Sequence, residues 1–68
     1  MTINELGRMI QKKRKAFRLT QQEAAGMCNV GIRFLSELEN GKKTLQIGKV
    51  LHVLDSFGYD IILKERSV

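Results

Sequence analysis

The chain has 68 residues, with 12 Lys+Arg against 7 Asp+Glu and a formal charge of +5. That length fits one domain, which buries little surface alone and gains from a partner subunit. A single cysteine, Cys28, excludes an internal disulfide framework, and His52 as the sole histidine argues against a zinc site.

Other classes fall away as the chain is read from its start. No apolar run approaches the roughly 20 residues of a membrane span. The opening Met-Thr-Ile-Asn-Glu lacks the order of a signal peptide. With 43% hydrophobic residues the chain is globular, not disordered. A cytoplasmic protein that binds polyanions is expected, without cofactor or metal.

Thr2-Ile3-Asn4-Glu5 is a capping-box pattern and predicts a helix start, with Thr2 as N-cap. Leu6, Met9, Ile10, Lys13 and Phe17 then recur at helical spacing, and the helix should stop near Phe17. Thr20 and Glu23 repeat the start signal, so a short second helix is expected over Gln21 to Cys28. Its Ala24, Ala25 and Gly26 carry little bulk and let another helix approach. Asn29-Val30-Gly31 breaks the pattern, because Asn accepts a left-handed conformation. A third helix is expected from Ile32 through Glu39. Leu35 and Leu38 face inward in it, and Arg33, Ser36 and Glu37 face outward. Asn40-Gly41 closes it, since Gly fits the position after a helix end.

A fourth helix is expected after Thr44 as N-cap, with a broad apolar surface from Leu45 to Phe57 and a stop at Gly58. Tyr59 to Glu65 is rich in strand formers and has no helix cap, so one strand is expected there. One strand cannot satisfy its backbone alone. The economical solution is antiparallel pairing with the same strand of a second copy, through Tyr59, Ile61, Ile62 and Leu63. A strand folded back on its own helix layer is the alternative. The expected architecture is mainly α: a bundle of four helices, with one C-terminal β-strand pairing across a homodimer. Residues 1–58 are expected to form the helical, partner-binding part, and residues 59–68 the dimerisation strand of the same unit.

Charge is concentrated. Arg8, Lys12, Lys13, Arg14, Lys15 and Arg18 place six positive charges in eleven residues with no acid among them. Such a field attracts phosphate backbones, although a solvated helix face would look the same. His52 lies on the apolar fourth helix and reads as packing or dimer contact. Cys28 reads as a small buried hydrophobe. No set of nucleophile, base and electrophile is visible, so an enzyme is not expected. The aromatics Phe17, Phe34, Phe57 and Tyr59 are not interleaved with basic residues as an RNA-binding surface needs.

A basic helix followed by two short helices and a tight turn is the helix-turn-helix arrangement. Leu19-Thr20-Gln21-Gln22-Glu23-Ala24-Ala25, Asn29-Val30, and Phe34-Leu35-Ser36-Glu37-Leu38-Glu39-Asn40-Gly41-Lys42 resemble the Cro/C1-type (XRE) helix-turn-helix family, over roughly residues 5 to 58. The physical pattern agrees, with Ala25 at the helix crossing and Cys28, Val30, Leu35 and Leu38 between the helices. Two positions depart from the family pattern. Asn29 and Arg18 stand where Gly is usual, and a positive φ at Arg18 costs about 1 kcal/mol.

The resemblance implies a fold of the lambda-repressor type and assigns roles. Gln21 would meet phosphate at the N-terminus of the second helix. Ile32, Arg33, Ser36 and Glu37 would lie on the face of the recognition helix. Arg33 would read guanine O6 and N7 bidentately, and Ile32 would meet a thymine methyl. Ser36 would serve a base or a phosphate. Glu37 would accept from cytosine N4, repel the backbone, or hold Arg33 in place. Asn40, Lys42 and Lys43 would contact phosphates. Arg14 and Glu39 match a structural salt bridge between the first and third helices.

The helix-turn-helix followed directly by Gly58-Tyr59-Asp60-Ile61-Ile62-Leu63 resembles a narrower group, the HipB-like antitoxins. That resemblance implies C-terminal strands paired in the dimer. It also implies a HipA-like serine/threonine kinase toxin as partner and repression of the shared operon. With the chain ending at Val68, inhibition is expected from the globular body or from another subunit. The alternatives are a stand-alone or phage-type regulator and a protein-interaction module that no longer reads DNA. In the DNA-binding readings the target is double-stranded DNA with an inverted repeat.

Overall fold

Among the described residues, 1–67 of a computed structural model, four helices account for the regular structure. They are α1 (Ile3–Ala16), α2 (Gln21–Cys28), α3 (Ile32–Glu39) and α4 (Ile47–Ser56). Both expected capping boxes form. Thr2 Oγ1 accepts from the Glu5 N–H at 3.1 Å, and Glu5 Oε1 accepts from the Thr2 N–H at 3.2 Å. Thr20 and Glu23 do the same at 3.1 and 2.9 Å. Each box satisfies two groups that the first turn leaves without a partner.

All four helices end in one way. A backbone N–H reaches back five residues: Leu19 to Arg14, Val30 to Ala25, Lys42 to Glu37 and Tyr59 to Leu54, at 2.9–3.1 Å. The residue before each donor is left-handed: Arg18 (φ 59°), Asn29 (φ 55°), Gly41 (φ 79°) and Gly58 (φ 82°). This is the Schellman closure. It imposes the strained φ on Arg18 and explains why Asn29 serves in its turn. Leu19, Val30 and Tyr59 follow the left-handed residues and pack on the core. At the end of α3 that place belongs to Lys42.

The core is Ile10, Ala24, Ala25, Cys28, Leu35, Leu38, Val50, Val53, Leu54 and Phe57. The α3 helix packs against both α1 and α2, and α2 packs against α4. At Gly7, α1 comes close to the backbone of α3. A Cβ on Gly7 would collide with the carbonyl oxygen of Leu38 and stand 2.8 Å from that of Glu39. Glycine is required there because backbone, which cannot yield, occupies the space.

Two expectations need correction. The fourth helix starts at Ile47 with Gln46 as its N-cap, not after Thr44. Leu45 is half-buried against the core, so the chain turns Leu45 inward before the helix can begin. His52 is exposed, which removes packing from the two roles expected for it and is compatible with a dimer contact.

The C-terminal segment also differs from the strand expected of it. Among the described residues there is no strand, and residues 60–67 carry no regular structure. Tyr59 stays partly buried on the core, whereas Ile61 is 53%, Ile62 86% and Leu63 92% exposed. A strand needs a neighbouring backbone, and the chain's own helices offer none. Val68, the end of the expected 59–68 segment, lies outside the described residues.

Candidate nucleic-acid interface

The α3 helix is held from behind and open in front. Leu35 and Leu38 are fully buried on its inner side. Its last residue, Glu39, is bound by Arg14 of α1. Arg14 Nε donates to Glu39 Oε2 at 2.7 Å, and Arg14 Nη2 donates to Oε1 at 3.0 Å. Arg14 Nη1 donates to the Leu19 carbonyl at 2.8 Å. The hydrogen bond to Glu39 raises the Arg14 pKa further above its ordinary value, against the opposing effect of burial. The expected salt bridge between the first and third helices is present and buried.

Gln21 joins this cluster. Its Nε2 donates to Glu39 Oε1 at 3.1 Å. The side chain expected to meet phosphate is therefore engaged inside the fold. A glutamine that opens one helix gives no sequence signal for a glutamate 18 residues away.

On the outer side, Ile32 is half exposed and the Arg33 side chain is 88% exposed. Ser36 and Glu37 are intermediate. Asn40 Nδ2 donates to the Ser36 carbonyl at 2.8 Å, so this side chain closes the end of its own helix. Lys42 Nζ donates to Glu37 Oε2 at 2.7 Å, and Arg33 Nε lies 3.8 Å from the same oxygen. The bond from Lys42 holds the Glu37 carboxyl below the usual carboxylate range. Lys43 is exposed and has no ion pair among the described residues.

The basic stretch of α1 is less free than its sequence suggests. Arg14 is buried on Glu39. Lys13 lies over two rings, 5.4 Å from the centroid of Phe17 and 5.3 Å from that of Tyr59. A cation on a ring face is attracted by the ring quadrupole. Arg8, Lys12, Lys15 and Arg18 are exposed. The Lys13 contact was not legible in the sequence, because Tyr59 lies 46 residues away.

Of the residues expected at the dimer, Tyr59, Ile61, Ile62 and Leu63 lie together along one groove with Met1, Leu6, Met9 and Leu54. Cys28 is fully buried, and burial pushes its thiol pKa up, as expected of an inert core residue. Among the described residues no group of side chains is arranged to hold a metal, and no helix is long and apolar enough to cross a membrane.

Comparison with known proteins gives one family. Residues 10–63 match the helix-turn-helix family model. The HTH-type transcriptional regulator y4mF of Sinorhizobium fredii (strain NBRC 101917 / NGR234) is 47% identical over 57 residues, which cover 84% of this chain and 75% of that protein. A solved structure titled MDT Protein superposes with a TM-score of 0.83 at 18% identity, over 98% of this chain and 94% of that one. That likeness is one of fold. With the matched family model spanning the second capping box, the turn and the recognition helix, the chain belongs to the helix-turn-helix family, of the Cro/C1 type that its motifs resemble.

Proposed function

We propose that this helix-turn-helix transcription regulator is a dimeric, sequence-specific DNA-binding repressor and the antitoxin of a HipA-like kinase toxin. One observation carries the DNA reading. The α3 helix is locked from behind by Leu35, Leu38 and the Arg14–Glu39 pair, while Arg33 projects from its second position at 88% exposure. A rigid helix with an exposed guanidinium is what bidentate reading of guanine in a major groove requires. Ile32 and Ser36 flank Arg33 on that face. Asn40, Lys42 and Lys43 follow the helix and meet the phosphates. Gln21 contributes its own backbone N–H at the first turn of α2, since its side chain is engaged by Glu39.

The dimer follows from the exposed Ile61, Ile62 and Leu63. Three apolar side chains on an unpaired backbone favour a second copy of the same segment, antiparallel about a two-fold axis. Such a dimer sets two copies of α3 about 34 Å apart over an inverted repeat. The kinase partner rests on the likeness of the Gly58–Leu63 stretch to HipB-like proteins. A stand-alone regulator is the second reading, and the Sinorhizobium relative, a transcriptional regulator by name, favours it equally.

The test is binding to an inverted repeat upstream of the gene. Affinity should fall steeply as salt rises. No binding at low salt would refute the DNA reading. A chain ending at Asp60 should sediment as a folded monomer, and persistent dimers would refute the strand pairing. A neighbouring gene with a kinase fold, whose product the chain captures and inhibits, separates the antitoxin from the lone regulator.

A further inference from the structure

At three of the four helix ends, the residue after the left-handed position is apolar and packs on the core. At the end of the recognition helix it is Lys42, and its partner is the side chain of Glu37. The backbone sets this pair. Gly41 turns the chain, the Lys42 N–H bonds to the Glu37 carbonyl at 3.0 Å, and the ammonium returns over the same residue. Arg33 approaches the same carboxylate oxygen from the other side at 3.8 Å. Glu37 is thus shared by two cations that the recognition helix presents. The other carboxylate of α3, Glu39, is buried on Arg14 and offers them nothing.

We infer that Glu37 is a specificity-determining residue, an internal counter-ion that weakens binding to phosphate backbone alone and so favours DNA on which Arg33 finds its base. The inference rests on the reading of α3 as a DNA-reading helix. A phosphate that approaches Lys42 meets an ammonium already bonded to a carboxylate at 2.7 Å and must sit beside that carboxylate. The gain from counterion release at that contact is reduced, and like charges oppose the approach. At a matching site the loss is offset by base contacts, which random DNA does not supply. Glu37, like any glutamate of ordinary pKa, is charged at neutral pH, and the bond from Lys42 lowers its pKa further.

The experiment measures anisotropy of two labelled duplexes, the upstream inverted repeat and a random sequence, over a salt series. The proteins are the full chain, Glu37→Gln, Lys42→Gln and the double variant. Glu37→Gln should bind the random duplex about 3- to 10-fold tighter, with a salt slope steeper by about 0.9. The ratio of specific to random affinity should shrink by a similar factor. Lys42→Gln should weaken random binding less in the parent than in the Glu37→Gln background. Unchanged random affinity and slope in Glu37→Gln, or equal effects of Lys42→Gln in both backgrounds, overturn the inference. A lowered melting temperature with an unchanged slope also overturns it, because the pair would then be only a helix-end contact. If the parent protein binds neither duplex at low salt, the DNA reading itself falls.

Discussion

Arg14 and Glu39 lie 25 residues apart and form a two-point pair, Nε to Oε2 at 2.7 Å and Nη2 to Oε1 at 3.0 Å, with both residues buried. The pair joins α1 to the last residue of α3. It ties the C-terminal end of the recognition helix to α1, and Gln21 and the Leu19 carbonyl add further hydrogen bonds. No buried side-chain nitrogen or oxygen among the described residues lacks a partner.

Breaking one side of this pair should be severe. Glu39→Ala leaves a buried guanidinium without its counter-ion, and the expected loss is about 3–5 kcal/mol in urea denaturation. Replacing both residues with apolar side chains of similar volume should cost far less. Equal losses in the single and double variants would show that the pair is not the source.

Two glycine-to-alanine changes should have opposite signs. Gly26 has nothing within 4 Å of an added Cβ, so Gly26→Ala should stabilise α2 by about 0.5–1 kcal/mol. Gly7→Ala forces a methyl onto the Leu38 and Glu39 carbonyls and should cost about 1–3 kcal/mol. Denaturant midpoints of the two variants check both signs.

Arg33→Ala should leave stability unchanged, because its side chain is 88% exposed. Discrimination at one base position should relax by about 1–3 kcal/mol. Binding of a panel of single-base operator variants measures this. A uniform loss across the panel would show a phosphate contact only.

Acid should weaken the start of α2. Hydrogen bonds from the Thr20 backbone and side chain lower the Glu23 pKa in the folded chain. The unfolded chain therefore binds a proton more readily, and stability falls as pH drops. The contribution is complete above the ordinary carboxylate range and is lost as pH falls through the lower folded value. Melting temperature against pH should fall less steeply on the acid side for Glu23→Gln than for the parent. Parallel curves would remove Glu23 from the account.

Features decided within about five residues were legible without a fold. Thr2 with Glu5 and Thr20 with Glu23 mark helix starts, and Asn29, Gly41 and Gly58 mark ends. The spacing of Leu35 and Leu38 orients α3, which leaves Arg33 outside. Capping and periodicity are local interactions, so local sequence carries them. The start of α4 was misplaced because the burial of Leu45, a tertiary demand, overrides the cap signal of Thr44.

The charge of +5 is a property of the sequence, but its distribution into free and engaged cations is not. Six cations in the first basic stretch look alike on paper. The fold buries Arg14 on Glu39 and lays Lys13 on Phe17 and Tyr59. It turns Gln21 inward and gives Lys42 to Glu37. Gly7 reads as an ordinary helix glycine until the backbone of α3 is set against it. The sequence alone determined the four helices and the residue that faces outward from the third. Only the tertiary structure decided how Arg14, Lys13 and Gln21 are engaged, because their contacts with Glu39 and Tyr59 reach across 18 to 46 residues that no local pattern encodes.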